Sequence, residues 1–131
     1  MQKKFKNKEV RNAALLLDIV KYLHKQDMLE DVIFYTNGHK FQAYEAAGVP
    51  IQLGGITIYD MGEEDVTQVI EFNNPETLTM TFEGPLYEDY NGYLPNSQSE
   101  ERIWEIAEKY GLYPEQGYYW SLTFYERHSK K

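Results

Sequence analysis

The sequence predicts an α+β protein, a largely antiparallel sheet of about four to five strands with two main helices packed on one face. Three observations predict it. Asn37-Gly38 separates two alternating runs, as in a two-residue hairpin. Apolar residues recur at helical steps along 7–28 and again along 99–110. Of two further runs, 77–83 alternates strictly between apolar and polar, and 117–126 sets Tyr118, Trp120, Leu122 and Phe124 against Tyr119, Ser121, Thr123 and Tyr125.

The elements follow in order. Val10, Ala13, Ala14, Leu17, Val20 and Leu23 make an amphipathic stripe, so 7–28 is the longest helix. The hairpin covers 31–44. Asn-Gly supplies the two positive φ angles of a type I′ turn, and that register sets Phe34 opposite Phe41 and Val32 opposite Ala43. Residues 51–60 read as a third strand, with Gly54-Gly55 as a bulge or bend. Glu63–Phe72 fits a short helix, with Glu63, Glu64 and Asp65 at its N-terminus, although its β-branched residues favour a strand.

Leu78, Met80 and Phe82 alternate with Thr77, Thr79, Thr81 and Glu83 in a strand that Gly84-Pro85 ends. A single helical turn fits 85–90. Ser97 or Ser99 is placed to cap the second main helix, since Ser97-x-x-Glu100 has the capping-box form. Gly111 and Pro114 stop that helix. The last strand is 117–126, with Tyr118, Trp120, Leu122 and Phe124 on one face.

The chain has 131 residues, enough for one domain spanning 1–131, with 1–8 and 127–131 as flexible basic tails. It contains no cysteine, which excludes disulfides, thiolate metal sites and a cysteine nucleophile. No signal peptide is visible, and no run approaches the roughly 20 apolar residues of a membrane span. The expectation is a cytoplasmic protein without a membrane partner.

Charge is unevenly distributed. Lysines and arginines crowd both ends, while between Phe41 and Glu101 there are 12 acids and no basic residue. Such a surface repels nucleic acid and suits a basic protein partner.

Catalytic patterns are missing. His24, His39 and His128 have no metal-ligand spacing, no serine sits in a nucleophile elbow, and Gly54-Gly55 is no phosphate loop. No catalytic residue, metal or cofactor is assigned. Glu83 and Glu126 end two similar strands and could approach as a carboxylate pair if those strands pair. The chain also carries 12 tyrosines, 6 phenylalanines and 2 tryptophans, residue types over-represented at binding hot spots. Glu83, Tyr87, Tyr90, Tyr119 and Tyr125 are the candidate binding residues. The hydroxyl-rich face of Thr77, Thr79, Thr81, Ser121 and Thr123 is either solvated sheet or part of that recognition surface.

Asp31-Val-Ile-Phe-Tyr-Thr-Asn-Gly, Asn74-Pro-Glu-Thr-Leu-Thr-Met-Thr-Phe-Glu-Gly-Pro-Leu-Tyr87, and Lys109-Tyr-Gly-Leu-Tyr with Trp120-Ser-Leu resemble segments of a group of small proteins of Gram-positive bacteria. The resemblance implies a bacterial, cytoplasmic protein and carries no activity with it.

Three functions remain. The first is a non-enzymatic binding or accessory module that meets a basic partner through acids and tyrosines. The second is a small-ligand binder or enzyme with a cavity between helix and curved sheet. The third is a DNA mimic, which needs acids spaced along one extended surface.

Overall fold

A computed structural model of the chain describes residues 7–45 and 55–127. Helix α1 (Lys8–Lys25) leads into strands β1 (Val32–Thr36), β2 (His39–Glu45) and β3 (Ile56–Glu63). A 3-10 turn at Val66–Gln68 precedes β4 (Leu78–Phe82). Helices α2 (Pro85–Tyr90) and α3 (Ser99–Glu108) and strands β5 (Leu112–Gln116) and β6 (Ser121–Glu126) complete the order. The sheet has six strands in the order β3-β2-β1-β4-β6-β5, every pair antiparallel. The class is the predicted one, with a strand more than expected.

Helix α1 starts where Asn7 accepts the Val10 N–H at 2.8 Å. This cap satisfies one of the donors a helix start leaves open. Leu15, Ile19 and Leu23 then turn onto Phe34, Met80, Phe82 and Phe124 of the sheet, all at 0% exposure. Burying each such side chain contributes about 1.5–3 kcal/mol. Asn12 is buried among these groups because its amide has partners: Nδ2 donates to Asn37 Oδ1 and to the Glu76 carbonyl, both at 3.1 Å. The hairpin-turn asparagine thereby also fastens the helix to the sheet.

The hairpin register is the one the sequence predicts, with Phe34 opposite Phe41 and Ile33 opposite Gln42. Three expectations are corrected. The final strand is shorter than 117–126, because 117–120 forms a turn and Leu112–Gln116 is a separate strand β5. Pro114 does not prevent this, because β5 is an edge strand that can spare a ladder donor. The helix expected within 63–72 is one 3-10 turn, its Thr67 N–H capped by Asp65. Helix α3 has no serine cap, since Ser97 Oγ donates instead to the Leu94 carbonyl. Asp89 of α2 caps it, accepting from the N–H groups of Gln98 at 3.2 Å and Ser99 at 2.8 Å. Lys8 pairs with Glu76 at 2.8 Å and Arg127 with Glu108 at 3.2 Å. The predicted strand portion 51–54 lies outside the described residues.

Over β4 and β6 the second face of the sheet is covered, whereas over β2 and β3 it stays open, with Tyr44 and Tyr59 exposed. Thr77, Thr79, Ser121 and Thr123 are almost wholly buried. The β3–β4 connection crosses over them, placing Val66 and Ile70 inside. This connection has little secondary structure, so its backbone polar groups need partners. The sheet hydroxyls supply them. Thr123 Oγ1 donates to the Phe72 carbonyl at 2.8 Å, and the Asn74 N–H donates to Thr79 Oγ1 at 3.3 Å. Asn74 Nδ2 reaches the Phe124 carbonyl at 3.1 Å.

Both sheet edges are blunted. Edge strand β5 carries Pro114, and edge strand β3 carries Asp60, a register irregularity and Gly62 at φ 111°. No described helix is long and apolar enough to cross a membrane.

Candidate functional site

The β5–β6 turn, Gly117–Trp120, carries the most concentrated group of exposed aromatic side chains in the described residues. Serine fixes its shape. The Tyr118 N–H donates to Ser121 Oγ at 2.8 Å, and the Ser121 N–H donates to the Tyr118 carbonyl at 3.0 Å. With the backbone folded this way, Tyr118 and Trp120 stack, their ring centroids 4.8 Å apart and their planes 11° from parallel. Phe72, from the β3–β4 connection, meets Tyr118 edge-on at 5.1 Å. The Tyr118 hydroxyl donates to Glu71 Oε1. That bond, with lesser help from desolvation, holds the phenol above its ordinary pKa.

The turn is also clamped from the helical side. Asn91, which ends α2, donates through Nδ2 to the carbonyls of Tyr87 at 2.8 Å and Tyr119 at 2.9 Å. Gln116 Nε2 donates to Asn91 Oδ1 at 2.9 Å and to the Tyr119 carbonyl at 3.1 Å. The Phe82 N–H donates to the Trp120 carbonyl at 2.9 Å. The rings stay exposed nonetheless, Tyr119 at 66%, Phe72 at 41% and Trp120 at 38%. Their positions are set by hydrogen bonds and ring contacts while their faces meet water.

The predicted binding residues separate into three groups. Glu83 is exposed one residue beyond Phe82, whose N–H donates to the Trp120 carbonyl, and Tyr87 and Tyr119 are joined through Asn91. These three lie around the turn. Tyr90 is buried at 5% exposure against Phe82, with ring centroids 5.8 Å apart, and serves the core. Desolvation raises its phenol pKa well above the ordinary value. Tyr125 lies at the other end of β6, half-buried beside Tyr113 at 5.9 Å.

The Glu83–Glu126 pair does not form. Strands β4 and β6 do pair, but antiparallel, with Thr81 opposite Ser121 and Thr79 opposite Thr123. The two acids therefore end at opposite ends of the sheet. Glu126 meets Arg11 at 3.0 Å and Lys8 at 3.4 Å instead.

Sequence reasoning missed Glu71, Phe72, Asn91, Tyr118 and Trp120 as a group. The available signal was Gly117 with Ser121 inside an aromatic run, which marks a turn within what otherwise reads as a strand.

Charge around the turn is one-sided. The segments that build it, 66–75 and 112–126, contain no lysine or arginine. Glu71 stands at the phenol end of the stack. Glu115 is the strand partner of Thr123, whose hydroxyl bonds Phe72.

Several grooves open on the surface, among them one of about 260 Å³ lined by Asp31, Ile33, Gln42, Thr81 and the predicted Glu83. Another, of about 390 Å³ at the hairpin tip, is lined by Tyr35, His39, Glu63, Glu64 and Val66. Beside it His39 Nδ1 lies 2.9 Å from Asp60, and that contact, with the Gly62 N–H, holds the Asp60 carboxyl below its usual range. A third, of about 400 Å³, opens at the rim between the end of α1 and β2, where His24 lies 3.3 Å from Glu45. A fourth, of about 280 Å³, is lined by Asp89, Asn91, Ser97, Glu100 and Gln116. None of these is lined by the α1 residues Leu15, Ile19 or Leu23 that pack on the sheet, where the cavity of the small-ligand expectation would lie. Among the described residues no three His, Asp or Glu side chains are gathered to hold a metal ion. The acids of the described residues fall at both ends of the sheet and in several loops.

Comparison of the chain with protein families, with curated proteins and with solved structures finds no match.

Proposed function

We propose that this chain is a protein-binding module that seats a basic segment of another protein on its aromatic β5–β6 turn. The observation that carries this reading is the Tyr118–Trp120 stack, exposed to solvent and fixed from both sides. Aromatic rings left in water forgo the burial energy that the core offers. Here Phe72, Glu71, Ser121 and Asn91 hold the surface in place. Rings fixed in advance lose little conformational entropy when a partner lands, which is why tryptophan and tyrosine dominate hot spots.

The charge selects the partner. Cations are attracted to the faces of aromatic rings. The surrounding segments supply carboxylates and no competing lysine or arginine. A nucleic-acid backbone would be repelled by the same surface.

Isothermal titration with an unstructured arginine-rich peptide, and with its glutamate counterpart, tests this reading. The basic peptide is expected to bind, more weakly as salt rises, and the acidic one to be inert. Trp120→Ala is expected to weaken binding by roughly thirtyfold, the scale of one hot-spot side chain. Equal binding by the variant, or no binding of the basic peptide at low salt, would overturn the reading.

A further inference from the structure

We infer that the group taken by the aromatic turn is an arginine guanidinium, stacked on Trp120 and paired with Glu71. The inference rests on the protein-binding reading above and adds the chemistry of the recognised residue.

The geometry separates the two basic side chains. Tyr118 is already engaged, with Trp120 flat against it and Phe72 edge-on to it. Trp120 has Tyr118 as its one ring partner among the described residues and keeps 38% of its surface exposed. The next layer on such a stack is best filled by a flat cation. A guanidinium is planar and weakly hydrated, so it can lie parallel to the indole and still direct its N–H groups sideways. A lysine ammonium is a compact, strongly hydrated point charge that gains less from a flat face.

Glu71 completes the arrangement. Its Oε1 accepts from the Tyr118 hydroxyl at the end of the stack, and its Oε2 has no hydrogen-bond partner among the described residues. A guanidinium over the rings can present its fork to that carboxylate, whereas an ammonium offers no matching planar pair. Glu115 adds negative charge from the neighbouring strand.

The test uses one unstructured peptide made in three versions: with arginines, with lysines at the same positions, and with uncharged citrullines. Each is titrated into the full chain and into Glu71→Gln. The amide oxygen of glutamine still accepts the Tyr118 hydroxyl, so the variant removes charge and leaves the platform; near-ultraviolet circular dichroism checks that it does. The arginine peptide is expected to bind about tenfold more tightly than the lysine peptide. Citrulline is expected to lose most of the affinity, and Glu71→Gln to bring arginine and lysine closer together. Lysine binding as tightly as arginine would overturn the guanidinium assignment and leave the protein-binding reading standing. Failure of arginine and lysine peptides alike would overturn the reading itself and the assignment with it.

Discussion

The Phe72 ring lies directly across Gly117. A Cβ on residue 117 would come within 2.7 Å of both Cβ and Cδ2 of Phe72. The glycine is required there for clearance. Its contact ties the β3–β4 connection to the β5–β6 turn, the two segments that build the aromatic surface.

Gly117→Ala is therefore expected to push Phe72 off the turn. Overpacking of this kind costs about 1–3 kcal/mol. Urea unfolding gives the loss of stability, and the aromatic circular dichroism should change with it. A variant as stable as the parent, with an unchanged aromatic spectrum, would mean that Phe72 does not lie on Gly117.

Thr123→Val removes the hydroxyl that donates to the Phe72 carbonyl and keeps the side-chain shape. Leaving that carbonyl without its donor is expected to cost about 1–3 kcal/mol. Hydrogen exchange should quicken along 70–76, where the connection is held to the sheet.

Asp89→Ala is expected to cost about 1–2 kcal/mol, because Asp89 caps the N–H groups of Gln98 and Ser99. Ser97→Ala should cost far less. Thermal unfolding of the two variants decides between the long-range cap and the capping box, which predicts the reverse order.

Glu126 gives the protein a pH dependence of known sign. Its hydrogen bond to Arg11, aided by Lys8, holds its carboxyl below the ordinary value of 4.5. The stabilisation is complete above that value and fades as pH falls through the lowered one. Urea unfolding from about pH 6 to about pH 3 should show that decline, and Glu126→Gln should flatten it. Identical pH profiles for parent and variant would contradict the role of this ion pair.

Local signals that agree with the fold were legible in the sequence. Asn37-Gly38 and the alternation beside it fix the hairpin register, because a one-residue slip would turn every side chain to the wrong face. Three features were hidden because distant residues decide them. The capping box at Ser97 is overruled by Asp89, in another helix. The threonine face reads as solvated until the β3–β4 connection, which has no periodicity of its own, covers it. Residues 117–120 have strand composition, but the Ser121 hydroxyl bends them into a turn.

The residues singled out in the sequence fall in different places. Glu83, Tyr87 and Tyr119 lie around the β5–β6 turn. Tyr90 is buried instead, since helix α2 directs it onto Phe82. Phe72 and Trp120 could be placed together only by the path of a connection that sequence patterns do not describe.

The most direct test of the account is an amide chemical-shift titration of the labelled chain with the arginine-rich peptide. The account predicts saturable shifts centred on Glu71, Phe72 and Gly117–Trp120, lost in Trp120→Ala. Shifts confined to the hairpin-tip groove around His39 and Glu64, or no shifts at all, would contradict it.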